Sequence, residues 1–485
     1  MPRAASRWQL VGANLVSLLI LGSLASILIS PLLGEQIEGM GAAIMFIAYQ
    51  VVGLGLAILI TSLVWRRLAA MPSATPTPHA FDQQHTPDKA VSPHQSVTIS
   101  VPVFNNADGI ITTLQALMAQ TMTPAQIIVV NDGSTDDTLS RLIERFNLKA
   151  GQNAGVTTPY ISRDNPALTV LDAPHGGKAK ALNHALALAD TDLFVSVDAD
   201  TVLAPDALEE MVRVYSEKRQ AIAVAGVVTP SYGPWLHGQQ DRLGQLPAHA
   251  LTFYQTIEYA LDFSARLGWE TVDGAHVMSG CATAFRRDLL VEVGGFRDDT
   301  VTEDYEIIHR LRQHCADRGL AHQVLTAPRA KVFTAAPATL PRLLRQRVRW
   351  FQGFLQTLLL YRGLIGRARY GWFGALVLPV KTIDAVAPAL VALSLGAFLM
   401  ESQTGGASLA AMVIGASVVT RLAIDCVVGS ISLALRQGRV APYHSGWQSI
   451  AMGLALPVFY LVNRSLWLVI GLSAYGRLIT GSRRW

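Results

Sequence analysis

At 485 residues the chain is too long for one ordinary domain, and its formal charge of +4, with only 15% charged residues, provides no basic tract of the kind nucleic acid requires. Three cysteines, Cys281, Cys315 and Cys426, lie far apart with neither CxxC spacing nor a matching histidine pattern, which excludes a disulfide framework and a structural zinc site. Hydrophobic residues make up 51% of the chain and concentrate in long runs at both ends of a mixed centre, the layout of a membrane protein carrying a globular domain in a reducing cytosol.

In chain order, Trp8 to Leu33 and Met40 to Trp65 are each long enough to cross a hydrocarbon core of about 30 Å. Arg3 and Arg7 precede the first run as in a signal peptide, but its length and the second span behind it predict an anchor. Glu35 and Glu38 lie in the turn, and Arg3, Arg7, Arg66 and Arg67 lie on the other side, so residues 1–70 form a hairpin with both ends in the cytoplasm. Residues 71–95, rich in Pro, Ser, Thr, His and Gln, read as a flexible linker.

From Ser96 to about residue 340, short β-branched runs alternate with helical stretches. The runs are Val97 to Phe104, Ile127 to Asn131, Leu168 to Asp172, Leu193 to Asp198 and Ile222 to Val228; the helices are Ile110 to Ala119, Asp136 to Phe146, Lys178 to Ala189 and Asp206 to Ser216. This alternation predicts a doubly wound α/β sheet with ligands at the carboxyl ends of the strands. Residues 341–370 include an amphipathic segment, Leu343 to Leu360, suited to a helix at a membrane surface. Residues 371–485 hold further apolar spans, Trp372 to Met400, Ser408 to Leu435 and Trp447 to Leu461, with Leu466 to Ile479 either completing a kinked helix or forming its own, which gives five or six spans in all.

Five groups of residues carry chemistry. Val101 to Asn105 and Val130 to Asp137 both end strands, where Phe104 offers a stacking face and Asp132 a carboxylate able to accept from a pyrimidine N–H; an Asx turn capping the next helix explains the same residues locally. Gly176-Gly177-Lys178 opens a helix, where backbone amides and an ammonium favour phosphate, and a solvated helix with a flexible entry is the alternative. Asp198 and Asp200 direct two carboxylates to one place behind an apolar strand, which a hard divalent cation such as Mg²⁺ or Mn²⁺ resolves, sharing oxygens with a substrate's phosphates. Thr302-Glu303-Asp304 starts a helix that Thr302 would cap and whose dipole the two acids complement. In Gln346-Arg-Val-Arg349-Trp350, Arg349 can pair with phosphate and Trp350 can stack on a sugar, or both can simply anchor at a membrane surface.

With those residues in that order, the chain resembles the processive inverting glycosyltransferases of family 2, the group of cellulose, hyaluronan, chitin and poly-N-acetylglucosamine synthases. The resemblance covers Val97 to Trp350 and the flanking spans. It implies a cytosolic GT-A domain, Rossmann-like, between N-terminal and C-terminal transmembrane helices, with amphipathic interface helices. It implies that Phe104, Asp132, Lys178, Asp198, Gln346 and Arg349 bind the nucleotide-sugar and that Asp198 and Asp200 bind the metal. Asp304, with Glu303 beside it, is then the catalytic base, and Ser279, Gly280, Cys281 and Trp350 hold the acceptor. Asn106 stands where many relatives have glutamate, and neither the gating loop nor the cyclic-dinucleotide domain of cellulose synthases has a clear equivalent, so regulation of that kind is not implied.

The function implied is a multi-pass enzyme of the plasma (inner) membrane that extends a polysaccharide from a UDP-sugar. The segment ending Ala284-Phe285-Arg286 resembles the poly-N-acetylglucosamine type, which makes UDP-N-acetylglucosamine the first donor and UDP-glucose the second. Its partners are the donor, the growing polymer and the lipid bilayer, with room for accessory export subunits. A non-processive transferase acting on a lipid acceptor shares the fold but generally lacks the QxxRW signature, and an inactive scaffold would have lost carboxylates that are present in this chain. Lys381 with Asp384, Arg421 with Asp425, and Arg464 lie within or beside apolar spans and point to a polymer channel, although their spacings also permit intrahelical pairing.

Overall fold

A computed structural model describes residues 95–152, 155–231, 246–402, 407–436 and 446–481, with a helical stretch at 61–67 and residues 55, 59 and 69–71 beside it. The first span, the start of the second and nearly all of the linker lie outside the described residues. The helical stretch packs Leu63 with Trp269, Val377 and Val380, and Arg67 approaches Glu270 at 3.8 Å.

The strands are β1 (Val97–Val103), β2 (Gln126–Asp132), β3 (Leu148–Ala150), β4 (Thr158–Ser162), β5 (Leu168–Ala173), β6 (Leu193–Val197), β7 (Thr201–Leu203), β8 (Ala221–Ser231), β9 (Ala282–Arg286) and β10 (Gln323–Ala335). The helices of this region are α1 (Ala107–Met118), α2 (Thr138–Arg145), α3 (Lys178–Leu188), α4 (Ala207–Glu217), α5 (Ala250–Glu270), α6 (Arg287–Glu292) and α7 (Glu303–Asp317). Four further helices follow: α8 (Leu340–Leu360), α9 (Leu378–Ser402), α10 (Ala407–Arg436) and α11 (Gly446–Ile479).

All strands join one sheet in the order β3-β4-β5-β2-β1-β6-β9-β8-β10-β7. The five predicted strands are present, and β5, β2, β1 and β6 pair in parallel, their apolar runs buried on both faces as such strands require. The sheet is nevertheless mixed. Strand β9 lies antiparallel between β6 and β8, and β4 runs antiparallel to β5. Ile110 and Leu114 of α1 and Met211 of α4 pack on one face; Leu182 and Leu186 of α3 and Ile307 and Leu311 of α7 pack on the other. The chain leaves β1 toward β2 and returns to its other side at β6, so the carboxyl ends of β1 and β6 flank the switch point, where a crevice opens. Because β9 is antiparallel to β6, the residues just before β9 also arrive at that end.

Helix α8 packs one side against the helices that follow and leaves Arg342 and Arg345 exposed on the other. Val348, Leu355 and Leu358 are buried with Phe373, Leu378 and the α11 residues Ile470 and Ala474, and Arg347 is buried too. Gly353 allows its close approach to the start of α7, since a Cβ there would stand 2.0 Å from Thr302 Oγ1. Thr302 precedes α7 as expected, but its hydroxyl makes no capping bond, being turned to this contact. Gly353→Ala is expected to cost roughly 1–3 kcal/mol of stability through overpacking and to lower the thermal midpoint of the purified protein; an unchanged midpoint would show that the two helices separate freely.

Leu466 to Ile479 continues the preceding apolar run in a single 34-residue helix containing Pro457. Among the described residues, Phe373–Gly396 and Trp447–Ile479 are long and apolar enough to cross a membrane. Leu393, Leu395 and Leu399 of α9 and Leu454, Val458 and Leu461 of α11 are exposed. The charges on these helices engage one another: Lys381 with Asp384 at 2.9 Å, Arg421 with Asp425 at 3.0 Å, and Arg464 of α11 with the same Asp425. The intrahelical pairing that the spacing allows is thus present, with one bridge added between helices.

Candidate active site

Two neighbouring groups form at the carboxyl ends of the parallel strands. The first surrounds Asp132, the last residue of β2. Its carboxylate accepts from the backbone N–H of Gly176 at 2.7 Å and of Gly177 at 2.9 Å. His175 lies 3.0 Å from the Asp132 carboxylate through Nδ1, and its ring stacks on Phe104 with centroids 4.4 Å apart. Gly133 adopts φ +66°, and a Cβ there would stand 2.6 Å from the His175 backbone nitrogen, so both the turn and the close approach require glycine. Asp132 thereby holds the loop that delivers Lys178, the first residue of α3. Gly177, at φ +90°, makes that entry.

The second group centres on Lys178. Its Nζ lies 2.6 Å from Asp198 and 3.2 Å from Glu303, and 3.5 Å from the Gly280 carbonyl. Burial alone would lower the lysine's pKa, but the charges of Asp198, Glu303 and Asp304 outweigh it and raise the pKa, so the ammonium is firmly protonated. Asp304 accepts from Gly280 N–H at 3.0 Å and from the Tyr305 N–H at 2.9 Å. Gly280 has no substitute at this position, because a Cβ would stand 2.5 Å from Asp304 Oδ2. Burial, followed by the Glu303 charge, pushes the Asp304 carboxyl up to about 6, with Lys178 and Arg349 opposing and Asp198 adding to the rise.

Asp198 follows β6, and its N–H reaches the Cys281 carbonyl at 3.4 Å, the contact that β9's direction makes. Asp200, two residues on, takes a weak hydrogen bond from Thr334 at 3.4 Å; burial and then the Asp198 charge push it up to about 6. Asn106, the residue departing from the family pattern, caps α1 by accepting from Gly109 N–H and donates to the Ala199 carbonyl, which steadies the Asp198–Asp200 turn. Ser279 Oγ and Cys281 Sγ are 3.0 Å apart, and the buried thiol is pushed up to about 12.

The structure therefore brings together Lys178, Asp198, Asp200, Ser279, Gly280, Cys281, Glu303 and Asp304. Arg349 of α8 joins them electrostatically through Asp304. Phe104 and Asp132 form the adjoining group, linked to the rest through Gly176 and Gly177. Gln346 and Trp350 lie on α8 against Arg347, a residue to which the motif assigns no role; its guanidinium is 4.1 Å from the Trp350 ring and donates to Gln346. His175 is likewise absent from the sequence-derived site, although its place immediately before the glycine pair is a usable signal. Glu258, the ion-pair partner of Arg347 at 2.5 Å, carries none, being 89 residues away. Among the described residues, no three His, Cys, Asp or Glu side chains gather so as to hold a metal by themselves.

The family described as Glycosyl transferase family 2 matches residues 98–294. Residues 98–294 are thus similar to a family 2 glycosyltransferase domain. Poly-beta-1,6-N-acetyl-D-glucosamine synthase of Staphylococcus aureus is 29% identical over 274 residues, 56% of this chain and 58% of the relative. The Staphylococcus epidermidis protein of the same name is 28% identical over 272 residues, 55% and 57% of the two chains. The chain thus matches little more than half the length of these relatives. A mannosyltransferase from Pyrobaculum calidifontis, PcManGT, solved with GDP-Man and Mn²⁺, superposes with a TM-score of 0.54 at 19% identity, covering 82% of this chain and 96% of its own. The α/β fold of the family 2 domain is accordingly of the GT-A type.

Proposed function

We propose that this chain is a membrane-embedded processive β-glycosyltransferase that polymerises a UDP-sugar, UDP-N-acetylglucosamine before UDP-glucose, into an exported polysaccharide. The observation that carries this reading is the gathering of Asp198 and Glu303 on Lys178, and of Lys178 and Asp304 on Gly280, from four separate parts of the chain. The matched relatives named for poly-N-acetylglucosamine synthesis support the donor choice. Helices α9 and α11, with exposed leucines along their lengths, support membrane embedding, and the arginines flanking the N-terminal apolar runs support a catalytic domain on the cytosolic side of a plasma membrane crossed several times.

A divalent cation, Mg²⁺ or Mn²⁺, fits the donor set. Asp198 and Asp200 place hard oxygen ligands together, and burial, then the Asp198 charge, raises the Asp200 pKa against the opposing Lys178 ammonium, a setting that a cation would relieve. Asp198 and Asp200 would hold the ion together with oxygens of the substrate's phosphates. When bound, the ion supplies charge neutralisation for the departing diphosphate. Lys178 offers its ammonium to the same diphosphate, having exchanged contact with Asp198. Asp304 withdraws the proton of the acceptor hydroxyl as that oxygen attacks the anomeric carbon opposite the leaving group, so configuration inverts. Ser279, Gly280 and Cys281 border the attacking side, and Trp350 offers an aromatic face to the acceptor sugar.

Incubating the purified protein with each UDP-sugar in turn, with Mg²⁺ or Mn²⁺, and measuring UDP and polymer tests this reading. UDP release without polymer would favour the non-processive alternative with a lipid acceptor, and no UDP from any donor would reject both. The base assignment also fixes a pH dependence. A carboxylate must be ionised to take a proton, and Asp304 is raised to about 6, so kcat/KM should hold above that pH and fall toward tenfold per unit below it. A profile flat down to pH 5 would contradict the assignment.

A further inference from the structure

Arg347 is one of the two unassigned positions inside Gln346-Arg-Val-Arg-Trp350, yet it is the motif residue with the most specific surroundings. Its side chain is 8% exposed. Burying a guanidinium requires partners for both its charge and its N–H groups. Nε and Nη2 form a fork on Glu258 of α5, at 3.0 Å to Oε1 and 2.5 Å to Oε2. Nη1 donates to the side-chain oxygen of Gln346, and the planar face of the group lies 4.1 Å from the Trp350 ring centroid. Residues 347 and 350 share a helix face at i,i+3, whereas Arg349 acts electrostatically on Asp304. One planar cation thus holds the side chains of two residues whose assigned partners are the donor diphosphate and the acceptor sugar.

We propose that Arg347, anchored by Glu258, is a positioning residue that sets the orientation of Trp350 toward the acceptor and of Gln346 toward the donor; this rests on the functional reading above. Glu258 is itself placed by α5, where Tyr254, one turn earlier, donates to Asn463 of α11 at 2.6 Å. The arrangement makes α5 part of acceptor recognition. Lysine cannot reproduce it, because an ammonium has neither the fork nor the flat face.

The test uses the full-length enzyme with a β-linked N-acetylglucosamine oligosaccharide as primer. Arg347→Lys and Glu258→Gln should each raise the primer KM about tenfold, while kcat at saturating primer and donor changes by less than about threefold. Combining Arg347→Met with Trp350→Phe should raise the primer KM no more than the worse single change, because both act on the primer through one ring. Primer KM at the wild-type value in Arg347→Lys, a fall in kcat with KM unmoved, or additive losses in the double variant would each overturn the proposal. Should Arg347→Met fail to fold, the lysine and glutamine variants, checked by their thermal midpoints, carry the test. If the wild-type enzyme releases no UDP, the functional reading fails; if it does and the variants show no such split, only the role of Arg347 fails.

Discussion

Asp304→Asn is expected to lower sugar transfer between about a hundredfold and ten-thousandfold while leaving donor binding intact. Asparagine retains the shape and an oxygen to accept from Gly280 N–H, so the close packing between that glycine and the start of α7 survives. What disappears is the group able to take a proton. The same substitution should not destabilise the fold. A buried carboxyl whose pKa is raised to about 6 favours its protonated form in the folded chain, so its ionised form disfavours folding fully above that pH, and this cost vanishes below the ordinary carboxylate range. At pH 7 the asparagine variant should therefore match or exceed the wild-type thermal midpoint. Near wild-type turnover would reject Asp304 as the base, whereas lost activity with a lowered midpoint would mean that the variant reports on folding alone.

Lys178→Gln should have the second largest effect, a fall in kcat on the order of a hundredfold to a thousandfold from the loss of one preorganised charge at the leaving group. It carries a second signature that a general loss of structure would not produce. Lys178 lowers the Asp304 pKa, so without it burial and the Glu303 charge act less opposed, and the acid limb of the kcat/KM profile should move above pH 6. Profiles of the two enzymes between pH 5 and 9 decide the matter. A reduced rate with an unmoved limb would mean that Lys178 does not act on Asp304 and the leaving group together.

Much of this site is legible in the sequence because its parts obey local rules. The buried strands β1, β2, β5, β6 and β8 announce themselves as β-branched runs, and acids or glycines at their carboxyl ends stand out against such runs. The ordered motifs include the Asp198, Gly280 and Glu303 that the fold gathers on Lys178, and the Asp132 that holds its loop. Partners that depend on three-dimensional neighbours leave no comparable trace. Glu258 lies in a segment for which the sequence predicts no element, and β7 and β10, whose pairing brings Thr334 to Asp200, are likewise not among the predicted strands. The mixed character of the sheet is hidden for the same reason, since strand direction is a property of pairing rather than of composition.

The sequence by itself determined which residues carry charge, which strand ends expose them, and in what order they occur, because backbone propensity and apolar patterning act over a few residues. Only the tertiary structure decided that β9 runs against β6, so that Gly280 meets Asp304, that the Asp132 carboxylate holds the amides of the Lys178 loop, and that Arg347 is clamped between Glu258 and Trp350. Apart from the Arg347–Trp350 contact within α8, those contacts join segments 24 to 93 residues apart, where burial and charge pairing across the folded chain, rather than local preference, select the partner.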